Sequence, residues 1–318
     1  MIHAAYARIK PMVRQTPLLS SPFLDEIAGR SVLVKPECLQ HTGSFKFRGA
    51  YAALSALDSA LRTRGVIAFS SGNHAQGVAL AARMHGCSAV IIMPADAPAL
   101  KIENTKALGA EVVLFDRANE DRDEIGARLS AERGLTLVKP FDEPQVIAGQ
   151  ASVGLEMAQQ CDAKNVEVLV PCGGGGLTSG IALALSEAQP SWRVHPVEPE
   201  EFDDATRSLK SGKREENSRR DGSICDAIIT PQVGEITFPI MQQHCKAGIV
   251  VSEQETLQAM ELAFKRLKLV VEPGGAVALA AALFHGHALE GETVLAVASG
   301  GNVDPETFMR ALKAKNRD

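Results

Sequence analysis

Short apolar runs recur along this chain, and most are followed by a stretch with helical periodicity. Ser31–Lys35, Gly65–Phe69, Ala89–Met93, Glu111–Phe115, Val166–Val170, Arg193–Val197 and Thr293–Ala298 read as strands. An Ala-rich stretch after Asn73 runs as a helix to about Met84. Ala99–Leu108, Leu177–Ala188, Glu253–Leu267 and Ala276–Phe284 also read as helices, with Gly109 as one stop signal. Strand runs that are apolar throughout, rather than alternating, belong in sheets covered on both faces. Strands that alternate with helices make such sheets parallel. The sequence therefore predicts an α/β fold, and 318 residues leave room for about two domains.

Charge and cysteine usage narrow the function classes. The net charge is −5, so no broad positive field exists to hold nucleic acid or an anionic membrane. An anionic substrate must be gripped locally. The six cysteines form no C-x-x-C pair, which removes zinc-ribbon and thioredoxin-like readings and suits reduced thiols in a cytoplasmic protein. The N-terminus lacks the apolar run of a signal peptide, and no apolar run approaches the length of a membrane span. Ser208–Gly222 is polar and reads as an exposed loop or short helix with a solvated face.

The strand Val166–Val170 runs into Pro171-Cys172-Gly173-Gly174-Gly175-Gly176-Leu177, where a helix begins. Glycine backbone at a helix N-terminus gathers N–H donors at the positive end of the dipole, which suits an anion. A dinucleotide fingerprint fails: counted from Gly173 its last glycine falls on Thr178, and counted from Gly174 on Ser179. Glu198 nevertheless stands about where a ribose-binding acid would lie. No Walker lysine follows either. A single phosphate cradled by the four glycines fits, against the plainer alternative of a tight turn with no ligand. The second feature is Thr42-Gly43-Ser44-Phe45-Lys46-Phe47-Arg48-Gly49-Ala50. A lysine between two phenylalanines either snorkels to water or is held half-buried, with the depressed pKa that a nucleophilic amine needs. A lysine nucleophile plus a monophosphate cradle, without metal motifs, points to pyridoxal phosphate.

With these pieces in place, the chain resembles the fold-type II pyridoxal-phosphate enzymes, and within them the serine/threonine dehydratases and serine racemases. The resemblance rests on Thr42–Ala50, Ser70-Ser71-Gly72-Asn73-His74-Ala75-Gln76-Gly77, Gly173–Leu177, Val197-Glu198-Pro199, Val271–Ala276 and Ser299-Gly300-Gly301-Asn302. They stand in the family's order and span nearly the whole chain. It implies two open, twisted, mostly parallel sheets flanked by helices. Residues 1–49 and 144–318 would form a large cofactor-binding domain. Residues 50–143 would form a small domain that closes over the substrate, with the cofactor between the two.

The resemblance also implies roles. Lys46 would carry the cofactor and then act as base at the substrate α-carbon. Phe45, Asn73, Gly173, Gly174, Gly175, Gly176, Leu177 and Ser299 would contact the cofactor, Asn73 at its 3′ oxygen and Ser299 at its pyridine nitrogen. A hydroxyl at that nitrogen gives a weaker electron sink than a protonated one, which favours expelling a β-leaving group. Ser70, Ser71, Gly72, Asn73 and His74 would hold the substrate carboxylate. Ser71 matches the residue that serves racemases as a second acid/base, although dehydratases carry serine there too. Glu198, Phe202 and Asp204 match a site for magnesium or calcium, built from two carboxylates and one backbone carbonyl. Plain surface acids are the alternative there.

The reaction expected is β-elimination of water from L-threonine or L-serine, giving a 2-oxo acid and ammonia. Serine racemisation and dehydration of 3-hydroxyaspartate are the alternatives, the last needing one more cationic contact that the sequence does not locate. Cysteine synthases typically have Asn-Thr where this chain has Asn73-His74. Outside the class stand an NAD(P)-binding oxidoreductase, which leaves Lys46 unexplained, and a non-catalytic amino-acid sensor, which leaves its retention unexplained. A homodimer is implied. With the sequence closing at Asp318, no C-terminal regulatory domain is expected.

Overall fold

The structure, a computed structural model, describes residues 1–97, 99–116 and 118–313. Its strands are β1 (Leu19–Ser20), β2 (Ser31–Pro36), β3 (Val66–Phe69), β4 (Ala89–Pro94), β5 (Glu111–Phe115), β6 (Thr136–Leu137), β7 (Val166–Pro171), β8 (Arg193–Pro199), β9 (Ile249–Val251) and β10 (Thr293–Ala298). They form a six-stranded sheet in the order β1-β2-β10-β7-β8-β9 and a four-stranded sheet in the order β5-β4-β3-β6. Only the edge pair β1–β2 is antiparallel. The last strand in sequence thus lies inside the larger sheet, with Thr293 opposite both Ser31 and Val166.

The apolar runs behave as their composition dictates. Every residue of β4 and β7 is buried. The edge strand β5 is only partly covered, and its Leu114 is exposed. The smaller sheet takes all its strands from 66–137. The helix Lys46–Ala56 runs unbroken across the domain edge drawn between 49 and 50. It packs against the helices Asn73–Met84 and Pro144–Gln160. The approach is close: a Cβ at Gly149 would sit 2.6 Å from the Arg48 carbonyl oxygen.

Two helices differ from their predicted bounds by more than one residue. The predicted Ala276–Phe284 helix begins at Pro273, since proline's missing N–H costs nothing in a first turn. Its residues from Pro273 to Leu283 are all buried, and their small side chains let it lie against β7, β8 and β10. The predicted Glu253–Leu267 helix starts with a Ser252/Glu255 capping box but is α-helical only to Leu262. Ala263–Leu267 widen into a π-turn. There the Leu269 N–H donates to the Ala263 carbonyl, and Lys268 takes φ +61° in the place usually filled by glycine. All six cysteines are free. No described helix is long and apolar enough to cross a membrane.

Candidate active site

The C-terminal ends of β3, β4, β5, β7 and β10 all lead into one cleft of about 330 Å³. This is where open parallel sheets place their ligands, because their β–α loops gather at that edge. Lys46, the Ser70–His74 loop, Gly173–Leu177 and Ser299 all line it. Glu198, Phe202 and Asp204 do not.

Lys46 is the first residue of its helix. Its Nζ donates to the Pro140 carbonyl at 2.8 Å and lies 5.2 Å from the centre of the Phe45 ring. The expectation that both phenylalanines enclose it needs correcting. Successive helical residues point about 100° apart, and Phe47 turns into the core against His41 and Tyr51. Burial pulls the Lys46 amine down to about 8, against the opposing pull of the Glu272 charge. At neutral pH an appreciable fraction is therefore free amine.

A buried quartet of charges holds this helix in place. Arg48 donates to Glu37 Oε2 and Glu156 Oε1, both at 2.7 Å, and Lys35 donates to Glu156 Oε2 at 2.7 Å. None of the four side chains is exposed. Two cations and two carboxylates cancel, and the Thr16 hydroxyl donates to Glu37 as well. Removing any one partner would strand a buried charge, at a cost of about 3–5 kcal/mol. The loop ahead of Lys46 is tied to the end of β10. The Phe45 N–H donates to the Ser299 carbonyl, the Gly301 N–H to the Gly43 carbonyl, and Asn302 Nδ2 to the Thr42 carbonyl.

Gly173–Gly176 form the opposing cradle. A Cβ at Gly174 would meet the Phe141 ring at 2.4 Å, and one at Gly176 would come 3.0 Å from Phe141 Cα. Gly175 has φ +87°, which favours glycine. The helix Gly176–Ala188 starts here without a side-chain cap, so its first N–H groups are free for an anion. Glycine backbone without side chains, next to uncapped N–H groups at a helix start, suits a phosphate. The site therefore fits pyridoxal phosphate: a depressed lysine, an anion cradle and a buried Ser299 hydroxyl border one cleft.

The Ser70–His74 loop links β3 to the helix Asn73–Met84. Asn73 is not a simple cap. Its Nδ2 donates to Glu272 Oε1 at 2.6 Å, and its Oδ1 accepts from Asn302 Nδ2 at 2.7 Å. Glu272 is pushed up to about 7 by burial, with the Asn73 hydrogen bond acting against the shift. The Ser70 hydroxyl accepts from the Gly72 N–H, while Ser71 stands on the cleft wall. His74 Nε2 donates to the Val138 carbonyl at 2.9 Å, a partner that can only accept. Burial and the Lys46 charge pull its pKa to about 3, so the ring is neutral and anchors the loop.

Sequence reading missed Pro140, Phe141, Glu272 and Asn302 as site residues. The last two lie within motifs that the sequence did mark, Val271–Ala276 and Ser299–Asn302, so a signal existed. Pro140 and Phe141 lie in a plain connector with none. Lys101, Arg122 and Asp226 also line the cleft.

Glu198 lies outside the cleft, at the N-terminus of the helix Asp204–Ser211. Its carboxylate accepts from the N–H groups of Ala205 and Thr206 and from the Thr206 hydroxyl. Burial and the neighbouring Asp204 push it up to about 8. Asp204 is pushed up to about 6 by burial, against the hydrogen bond from Asn217, and its Oδ2 is buried without a partner. The acids are therefore not solvated surface groups. Among the described residues no three His, Cys, Asp or Glu side chains converge as a metal site.

A two-sheet α/β fold that sets one depressed lysine across a cleft from a glycine cradle defines a class of enzyme, one that carries a phosphorylated aldehyde on that lysine. The chain belongs to the pyridoxal-phosphate-dependent enzymes, and the model of that family matches residues 9–300. Its fold is of type II. It is 41% identical over 309 residues to an L-threo-3-hydroxyaspartate ammonia-lyase of a Pseudomonas species, covering 97% of this chain and 96% of that one. The structure of maize serine racemase superposes with a TM-score of 0.91 at 36% identity, covering 98% and 95% of the two chains. A threonine deaminase from T.th. superposes at 0.89 with 44% identity, covering 95% and 97%. Family membership removes the oxidoreductase reading.

Proposed function

We propose that this enzyme removes water and ammonia from a small L-β-hydroxy amino acid, L-threonine or L-serine in the simplest case, and yields a 2-oxo acid. One observation carries the reading: a depressed lysine, a glycine cradle and a helix-start loop suited to a carboxylate share one cleft. Pyridoxal phosphate, when bound, supplies a sink for the electron pair released at the substrate α-carbon. The chain's own residues supply the rest. The N–H groups of Gly173–Gly176 hold a phosphate. The Ser70–His74 loop orients the substrate carboxylate at a helix N-terminus. Lys46 offers the free amine and later takes the α-proton. Asn73, fixed from both sides by Glu272 and Asn302, presents its amide edge in one orientation. Ser299 offers a hydroxyl where a carboxylate would stabilise charge longer, which favours departure of the β-hydroxyl. Phe45, Phe141 and Ile228 exclude water.

The names of the Pseudomonas and T.th. relatives, an ammonia-lyase and a deaminase, support elimination with ammonia release. A second reading, serine racemisation, is favoured by the likeness to maize serine racemase and by Ser71 on the cleft wall as a second proton carrier. The proposal also includes closure of residues 50–143 over the substrate and homodimeric assembly in the cytoplasm. It includes a magnesium or calcium ion on Glu198, Asp204 and the Phe202 carbonyl, for which the unpartnered Asp204 Oδ2 speaks.

The test presents the holoenzyme with L-threonine, L-serine, D-serine and 3-hydroxyaspartate isomers, and reads 2-oxo acid, ammonia and chirality. Lys46→Ala is expected to lose all turnover. Ser71→Ala is expected to lose any D/L exchange while elimination persists. Ammonia release from none of these substrates, or full activity in Lys46→Ala, overturns the reading.

A further inference from the structure

The cleft wall built by the four-stranded sheet carries two cations for which elimination from serine or threonine has no use. β5, β4 and β3 lie side by side and parallel, so the connections that follow them open along one edge. The connection after β3 is the Ser70–His74 loop. The helix after β4, Ala99–Ala107, carries Lys101, and the helix after β5 begins with Arg122. All three line the cleft. Two cations therefore line the same cleft as the loop suited to a substrate carboxylate.

Lys101 already holds an anion. Its Nζ donates to Asp226 Oδ2 at 3.1 Å, in the segment whose Ala227 and Ile228 also line the cleft. The pair is open to water, with side-chain exposures of 26% and 62%. Exposed pairs of this kind contribute little, so another carboxylate can replace Asp226 at small cost. Arg122 has only the loosely placed Asp123 carboxylate, at 3.8 Å, as its charge partner among the described contacts.

We propose that Lys101 and Arg122 form a subsite for a second substrate carboxylate, with Asp226 as the resident anion that the substrate displaces. The preferred substrate is then a β-hydroxy-α-amino dicarboxylic acid of the 3-hydroxyaspartate type. This rests on the elimination reading and names its substrate. The Cα–H and Cβ–O bonds break: the α-proton passes to Lys46 and from there to the departing hydroxyl, which leaves as water, so Lys46 ends as free amine. One water is taken up again as ammonia is released, so the product is a 2-oxo dicarboxylate.

The test compares L-threo-3-hydroxyaspartate with L-threonine in wild-type holoenzyme and in Lys101→Met, Arg122→Met and Asp226→Asn. Each cation substitution is expected to lower kcat/KM for the dicarboxylate by roughly tenfold, mainly through KM, while threonine changes by less than about threefold. Asp226→Asn is expected to lower KM for the dicarboxylate only. A second arm needs no turnover. Malonate is expected to raise the Tm of wild-type holoenzyme more than acetate at matched ionic strength, and Lys101→Met to abolish the difference. Equal effects on both substrates, no effect on either, or malonate acting no better than acetate overturns the subsite while elimination stands. If neither amino acid releases a 2-oxo acid yet malonate still discriminates, elimination fails and the subsite stands.

Discussion

At the scale of the residue, Lys46 is governed by where its neighbours point. The sequence Phe45-Lys46-Phe47 left open whether the amine snorkels to water or is held half-buried, and the structure has it half-buried beside the Phe45 ring. The sequence did not reveal that Phe47 faces the core, since that depends on helical phase at a helix start. Nor did it reveal Glu272, 226 positions away in the chain (272 − 46), whose charge partly restores the amine's basicity. With its pKa at about 8, roughly one amine in ten is free at pH 7, against fewer than roughly one in a thousand for an ordinary lysine. The free fraction grows as pH rises through that value. Cofactor-free protein is therefore expected to capture pyridoxal phosphate, fixed by borohydride and mapped to Lys46, at a rate that climbs to about pH 8 and then levels off. A rate that goes on climbing into the ordinary lysine range would contradict the depressed pKa. Stability moves the same way. The folded pKa lies below the unfolded 10.5, so the cost of burying this group is present at low pH and is relieved as pH rises from about 8.

At the scale of the element, the cradle is a fit between a loop and one aromatic ring. The strand–glycine–helix junction was legible because four adjacent glycines have few other uses. What they accommodate was not legible, since Phe141 lies in a connector with no pattern of its own. Gly174→Ala would drive a methyl group into that ring, and such overpacking costs about 1–3 kcal/mol. The substituted protein is expected to fold and to bind pyridoxal phosphate roughly tenfold or more weakly by fluorescence titration, the equivalent of about 1.4 kcal/mol. Adding Phe141→Ala should recover part of that affinity. Unchanged affinity in Gly174→Ala would show that the cradle tolerates a side chain. The helices Arg122–Arg133, Pro144–Gln160 and Pro305–Leu312 went unread although a cap marks each, but the helix starts given at Ala99, Leu177, Glu253 and Ala276 were read to within three residues. The π-turn at Ala263–Leu267 was not, because a lysine in the left-handed position leaves no glycine to read.

At the scale of the whole molecule, the fold class was legible and the strand order was not. Alternating apolar runs and helices specify parallel sheets, but nothing local says that β10 inserts between β2 and β7. That placement brings Ser299 and Asn302 to Lys46 and Asn73, and so assembles the site from four distant segments. The acids Glu198 and Asp204 were legible as a pair, while their burial and the unpartnered Asp204 oxygen were not. Added magnesium or calcium is expected to raise the Tm of the purified protein by mass action, worth about 2.7 kcal/mol at a hundredfold excess over Kd. Asp204→Asn should remove that response. An equal rise in both proteins would place the ion elsewhere. The charge quartet of Lys35, Glu37, Arg48 and Glu156 bears on descent as well as on stability. Because its members are neutral only as a set, drift cannot replace them one at a time without passing through a crippled ancestor. Anyone transplanting the lysine segment into a foreign scaffold would have to carry pieces of β2 and the Pro144–Gln160 helix along with it.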